Sequence, residues 1–444
     1  MSIRVSSNQM VYGYQKQLND ANTRQTKLLE QGDGSKLHRP SDNSVDYSKY
    51  LRYSVSEGEN LQYQDNVSSA LSWMKTSDAA LVNMTSIQTT FKEKTEAAAN
   101  STNNESDMVA IAKEMMAEIQ ELVSLGNTMQ GDSYVFGGQT DLTKPFIMST
   151  EKVDRGLAKT LDENQSAFFS GEGAVDDTGS MHQMLTLKGS DNNTYYLNTK
   201  NGRVYTKEFV ENGYKDVVSK ESRKQVDDGD KIGTVSGWGG STDVSKYFKN
   251  TGEITADGKS FSKDITVDGK NVTLKFETIH QQIVTYHGDD KGISMVKKNG
   301  STEPVADTVN VTGPEIFGTD IFDDASSGNK ASGAAMLNQM LTVRAKVEGT
   351  DHKWLSKDGQ TVADAVHSTT VNTETKLGAR QQLYGSVKTM LDNQNEIIMG
   401  DITEVSSTDV AKLAVQLMQE QTIYNMSLSL GGRILPQSLA DYLR

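Results

Sequence analysis

No cysteine occurs among the 444 residues, which excludes a disulfide framework, Cys-ligated zinc, an iron–sulfur cluster and a thiol nucleophile. Proline is scarce, at five residues, so few positions force a helix to stop. Basic residues are outnumbered 45 to 59, for a net charge of −14, which argues against binding a phosphate backbone. No stretch reaches the 18 or so apolar residues needed to span a bilayer. The start, Met1 to Leu18, lacks a continuous apolar segment, so no ordinary secretory signal is expected and any export would take another route. Apolar residues make up only 35% of the chain, which predicts more surface per residue than a compact globule has. The length predicts two to four domains, and composition leaves the compartment open.

Glycine divides the chain. Residues 1–130 hold five, residues 131–340 hold twenty-five, and residues 341–444 hold seven. Glycine is costly in helix interiors and natural in turns, so the ends are expected to be helical and the middle not. Proline agrees: Pro145, Pro304 and Pro314 lie in or beside the middle, while Pro40 and Pro436 punctuate the ends.

In the first arm, Met10, Tyr14, Leu18, Ala21 and Leu28 recur at helical spacing, and Gly32-Asp33-Gly34 ends that helix. Arg39-Pro40-Ser41-Asp42 supplies a turn with a candidate N-cap. From Val45 to Asn100 there is no proline and one glycine, which predicts a rod of roughly 80 Å at 1.5 Å per residue. One heptad seam reads Val67, Met74, Leu81, Gln88 and the other Ala70, Ser77, Met84, Phe91, spacing suited to a bundle. A polar turn at residues 100–104 leads to a third helix carrying Val109, Met115, Ile119, Leu122 and Met129.

Beyond Gly131 the period changes to two. Asn193–Leu197, Lys263–Val267 and Asn271–Phe276 read as strands, and Asp-Gly pairs at 228–229, 257–258 and 268–269 as hairpin turns. Helices return near Ala334, then over roughly Val371 to Met399. Ser406-Ser407-Thr408-Asp409 looks like a capped start, followed by Val410, Leu413, Leu417, Tyr424 and Leu428 on one stripe, stopped by Gly431-Gly432. The fold class expected is α+β and multidomain: a long helical bundle formed by the N- and C-terminal regions, with an inserted, mainly antiparallel β domain. Isolated helices of the length of residues 1–30 and 406–444 are marginal in water, so both must pack on each other, on the body or on other subunits.

Motifs for chemistry are absent. The six histidines form no H-E-x-x-H pattern, and His280 and His287, seven apart, would lie on opposite faces of an unbroken strand. Asp227-Asp228-Gly229-Asp230 lacks the alternating ligands and distal glutamate of a calcium loop. Gly252 to Ser260 has five residues between its glycines where a phosphate loop needs four. No nucleophile elbow or dinucleotide fingerprint occurs. No catalytic residue, cofactor or metal is expected, and the chain reads as a non-enzyme.

Four motifs, in order, resemble the flagellin superfamily, and within it the hook-associated junction proteins of type 3. Arg39-Pro40-Ser41-Asp42-Asn43 is similar to the family's turn between its first two helices. Asp132 to Phe146 (DSYVFGGQTDLTKPF), with Phe136, Gly137, Pro145 and Phe146, is similar to the exit from its third helix. Leu377-Gly378-Ala379-Arg380 matches its "LGAR" helix. The tail from Ser407 to Arg444 matches with Asp409, Leu413, Tyr424 and the run 438–443, which includes Leu439 and Leu443. Together they cover about residues 1–146 and 335–444. The β middle aligns with nothing, and Asn43-Ser44-Val45 stands where an acidic residue and proline are frequent in the family.

The resemblance implies a structural adaptor of the bacterial flagellum, outside the cell, exported by the flagellar type III apparatus without a cleaved signal. It implies inner-tube helices at 1–44 and 404–444, rod halves at 45–146 and 334–403, and an outward β domain at 147–333. The implied partners are further copies of the chain, the first hook-associated junction protein, flagellin, and an export chaperone on the C-terminal helix; neither nucleic acid nor membrane is among them. The implied assembly interface is Met10, Tyr14, Leu18, Leu413, Leu417, Tyr424, Leu428, Leu439 and Leu443. A filament-forming flagellin is the alternative within the class. A secreted enzyme or surface-binding protein acting through the β middle is the alternative of another class.

Overall fold

The structure is a computed structural model that describes residues 2–169, 183–198, 203–212, 233–234, 262–267, 270–293, 308–318 and 333–434. The chain is α+β: long helices at both ends and antiparallel sheets between them. It divides into a terminal unit, Met1–Ser68 with Ser386–Arg444, and a central unit, Ser69–Gly385. Helix α1 (Ser2–Glu30) closes in a 3₁₀ turn capped by Gly34 at φ +97°, a left-handed conformation that glycine adopts without a Cβ penalty. Helix α2 (Ser44–Ala99) and helix α3 (Glu105–Gly126) follow. Asn104 caps α3 reciprocally: its side chain accepts from the Asp107 N–H, and the Asp107 carboxylate accepts from the Asn104 N–H.

Both expected heptad seams of α2 are buried in full, from Val67 to Phe91. Within the central unit α2 lies antiparallel to a late helix. Gln88 Nε2 donates to Thr370 Oγ1 at 2.8 Å, Gln381 Nε2 to the Met74 carbonyl, and Lys92 pairs with Asp364. The expected third helix is shorter than its apolar pattern. It stops at Gly126, and Met129 instead pairs with Tyr134 in a two-stranded ladder of β1 (Met129–Gln130) and β2 (Ser133–Tyr134).

The middle is a set of antiparallel ladders. Strand β3 (Phe146–Met148) is followed by β4 (Val153–Gly156), β5 (Ala158–Thr160) and the short helix α4 (Glu163–Phe169). Next come β6 (Gln183–Gly189), β7 (Thr194–Asn198), β8 (Arg203–Thr206) and helix α5 (Lys207–Glu211). Then follow β9 (Gly233–Thr234), β10 (Ser262–Val267), β11 (Lys270–Phe276), β12 (Thr278–Gln281) and β13 (Val284–Tyr286). The largest described sheet runs β10-β11-β6-β7-β8-β9, with β5 also on β6. Strand β4 pairs with β12, and β3 with β13. The three expected strands coincide with β7, β10 and β11. Val267 pairs with Lys270, and the Asp-Gly turn between them lies outside the described residues, as do Asp228-Gly229, Asp257-Gly258, the acidic turn at 227–230 and the segment 252–260.

The glycine-rich middle is not free of helix. Two short segments free of glycine and proline form capped helices: Asp162 and Gln165 bond reciprocally at the start of α4, and Thr206 Oγ1 accepts from the Phe209 N–H at 3.2 Å. Helix α6 (Gly313–Phe317) starts with Pro314 in its first turn, and the Glu315 carboxylate accepts from the Thr312 N–H. Helix α7 (Ala335–Glu348) packs along α3, joining Met115, Ile119 and Leu122 to Met336, Met340 and Val343 in the buried core.

A turn at His352–Trp354 and a π-helical turn at Leu355–Gly359 lead into α8 (Gln360–Ser406). This helix begins earlier and ends later than the expected Val371–Met399 segment. Last comes α9 (Val410–Ile434). Gly431-Gly432 does not stop it: glycine ends a helix by turning left-handed, and both residues stay helical, at a cost of about 1 kcal/mol each.

Candidate assembly surface

In the terminal unit the turn at 39–42 closes on itself, and the residues just before it, 34–36, are bonded to the turn at 406–408. The Arg39 N–H donates to the Asp42 carboxylate at 2.8 Å, and the Asp42 N–H returns to the Arg39 carbonyl at 3.0 Å. Pro40 and Ser41 complete this closed, exposed turn. Arg39 also pairs with Glu30, which ties the turn to the end of α1. Asn43 caps the start of α2: its Oδ1 accepts from the Val45 and Asp46 N–H groups, both at 3.2 Å. Asp409 caps α9 through the Lys412 N–H at 3.0 Å, as expected. Between the turns, Ser35 and Ser407 form an antiparallel bridge, and the Lys36 N–H donates to the Ser406 carbonyl at 2.8 Å. Two segments about 370 residues apart in sequence are thereby clamped together.

Beyond the clamp, α1 packs along α9, with Arg24 and Glu420 paired at 3.0 Å. Of the expected interface residues, Tyr14 and Leu18 on α1 and Leu417 and Tyr424 on α9 are half-buried. Leu413 is 5% exposed, whereas Leu428 is 46% exposed. Met10 lies within α1; Leu439, Leu443 and Pro436 lie outside the described residues. The expected stripe is therefore partly consumed within the chain. A second apolar series on α9, Val415, Met418 and Met426, remains in solvent, with Met418 70% exposed. Tyr12 and Leu29 on α1 are exposed likewise. The stripe reading missed this series, yet its spacing of three and eight residues was visible once the first series was assigned.

The exposed apolar set continues on the terminal unit's share of α2 and α8. Val45, Leu51 and Val55 are open on α2, and Met390, Ile397 and Met399 on α8. These two stretches are tied by Gln64, whose Nε2 donates to the Leu391 carbonyl, and by Lys388 to Ser68. Most of the large apolar side chains exposed among the described residues belong to this smaller unit. Apolar area of this density is a marker of an association surface.

The other motif residues sit inside the central unit and build it. Phe136, Gly137, Pro145 and Phe146 are buried. Asn127 brackets Phe146: its Oδ1 accepts from the Phe146 N–H at 2.9 Å and its Nδ2 donates to the Phe146 carbonyl at 3.0 Å. The Phe146 ring lies 5.0 Å from Tyr286 and 5.2 Å from Phe317, edge-on to the latter. Burial pushes the Tyr286 phenol far above its usual value, and its oxygen lies 2.8 Å from the Phe136 carbonyl and accepts from the Gly313 N–H. In the LGAR segment, Leu377 and Arg380 face inward while Gly378 and Ala379 are exposed. Arg380 donates to Glu315 at 2.7 Å and to the Asn310 carbonyl at 3.3 Å, fixing α8 to α6.

No family model matches the chain. No curated protein matches it by sequence either. Solved structures do. The chain is similar to flagellar hook associated protein-3 from Legionella pneumophila at 11% identity and a TM-score of 0.37, with 80% of this chain and 98% of that one covered. It is similar to FlgL from Xanthomonas campestris at 14% identity and a TM-score of 0.32, over 82% and 100% of the two chains. The flagellar junction protein FlgL from Legionella pneumophila aligns at 13% identity and a TM-score of 0.31, over 78% and 100%. Among the described residues no helix is long and apolar enough to cross a membrane, and no group of three or more His, Asp and Glu side chains is placed to hold a metal ion.

Proposed function

We propose that this chain is a structural adaptor of the bacterial flagellum, joining the hook, through the first junction protein, to the flagellin filament by helical stacking of subunits. One observation carries the reading: the two ends of the chain are clamped into a helix pair that leaves apolar side chains of both α1 and α9 in solvent. The four motifs that resemble the hook-associated junction proteins support it, since they occur in the family's order. A contact between unlike faces of identical subunits need not close on itself, so it can extend helically and present one end to each neighbour. Each Leu or Met newly buried in such a contact contributes about 1.5–3 kcal/mol.

On this reading the partners are other copies of the chain, the first hook-associated junction protein and flagellin. An export chaperone shields the apolar C-terminal helix before assembly, and the protein reaches the cell exterior through the flagellar type III apparatus. Absence of cysteine suits a chain exported unfolded. The terminal segments 1–44 and 404–444 form the inner part of the tube, and the β region 147–333 faces outward. Removing residues 410–444 is expected to abolish motility while leaving the central unit folded. Motility unchanged by that truncation would overturn the assignment.

A further inference from the structure

We propose that a cavity in the central unit, distinct from the assembly surface, binds a sugar acid. The cavity has a volume of about 410 Å³, within the range of small-molecule sites. It opens where the antiparallel ladders fork. The pair β4 and β12 ends at Leu157 and Glu277, and beyond that point β5 and β11 part to flank β6. The fork is held by the Leu157 N–H donating to the Glu277 carbonyl and the Glu277 N–H donating to the Thr186 carbonyl. The facing wall is the π-helical turn Leu355–Gly359, a geometry that recurs at functional sites.

The lining is polar, which argues against an apolar ligand. Three of its carboxylates are already matched by lysines from other segments: Asp358 by Lys159, Glu211 by Lys357, and Asp351 by Lys346. Two lining charges have no ion pair among the described residues, Lys353 and Glu277. A ligand therefore finds one uncommitted cation for a carboxylate and one uncommitted acceptor for hydroxyls. A third demand comes from Thr160, which is 4% exposed and whose Oγ1 has no hydrogen-bond partner. An orphaned buried hydroxyl costs about 1–3 kcal/mol, and a group that both donates and accepts relieves it best. Thr186 and Thr194 extend the hydroxyl-bearing lining, and Trp354 and Tyr196 add aromatic surface. A carboxylate joined to several hydroxyls on one small ring meets all three demands.

The test titrates glucuronate into the full chain by calorimetry, with intrinsic tryptophan fluorescence, to which Trp354 in the lining contributes, as a second signal. Glucose, which lacks the carboxylate, and glutamate, which lacks the hydroxyls, serve as controls. Saturable binding of glucuronate, with both controls weaker by about tenfold or more, is expected. Thr160→Val and Lys353→Ala are each expected to weaken it by about tenfold. Neither variant breaks a bond seen in the structure: Lys353→Ala should keep the wild-type denaturation midpoint and Thr160→Val should keep or raise it, since it removes an orphaned hydroxyl, which separates loss of binding from loss of folding. No saturable heat with glucuronate, equal binding of glutamate or glucose, or binding unchanged in both variants would overturn the proposal.

Discussion

Phe146 sits where α3, the β3–β13 ladder and α6 meet, fully buried and bracketed on its backbone by Asn127. Phe146→Ala is expected to destabilise the central unit by about 3–5 kcal/mol in chemical denaturation. Gly138 is constrained differently: its φ is +72°, and an added Cβ would fall 2.0 Å from the Asp289 carboxylate oxygen that accepts from the Gln139 N–H. Gly138→Ala should therefore cost more than the 1–2 kcal/mol of left-handed backbone strain alone, because that hydrogen bond is displaced as well. Asp191 carries a pH dependence. Desolvation would raise its pKa, but hydrogen bonds from the Tyr195 hydroxyl and Asn193 outweigh it and hold the carboxyl below its usual value. A group lowered in the folded state stabilises fully above its unfolded pKa, about 3.9, and that stability is lost as pH falls. Asp191→Asn should lower the denaturation midpoint near neutrality and flatten its fall at low pH, so that the difference from wild type shrinks on acidification.

At the scale of the element, the α2 seams were legible because a buried heptad repeats over many turns without glycine or proline, and no local bond competes with it. The third helix misled because Met129 falls on the helical period while Gly126 lies under the Phe146 ring, which an added Cβ would approach to 2.8 Å. The chain must turn there, and Met129 goes to a ladder. Of the motif residues, Phe136, Phe146 and Arg380 build the central unit, whereas the turn at 39–42 and the tail belong to the terminal unit. Neither the fork cavity nor the clamp between Ser35 and Ser407 was legible, since both need residues far apart in sequence. Polar members of the seam suggest a test. Gln88 spans to Thr370, yet its Oε1 has no partner, so register is specified at some cost in stability. Gln88→Met is expected to raise the denaturation midpoint, and Asn43→Ala to cost about 1 kcal/mol by uncapping α2.

At the scale of the whole molecule, the low apolar share and the net charge of −14 belong to a chain with two kinds of surface. The central unit encloses a continuous core of α3, α7 and the aromatic cluster around Phe146. The terminal unit closes on itself through a short clamp and one helix pair, and leaves much of its apolar surface in solvent. On the proposed function, charge repulsion between subunits opposes their association before assembly. The proposed bridging of hook and filament is tested by electron microscopy of flagella from a strain lacking the chain. Hooks without filaments are expected, with free flagellin in the medium, and full rescue by the intact chain but none by a chain truncated at residue 409. Filaments of normal length on the deletion strain would contradict it.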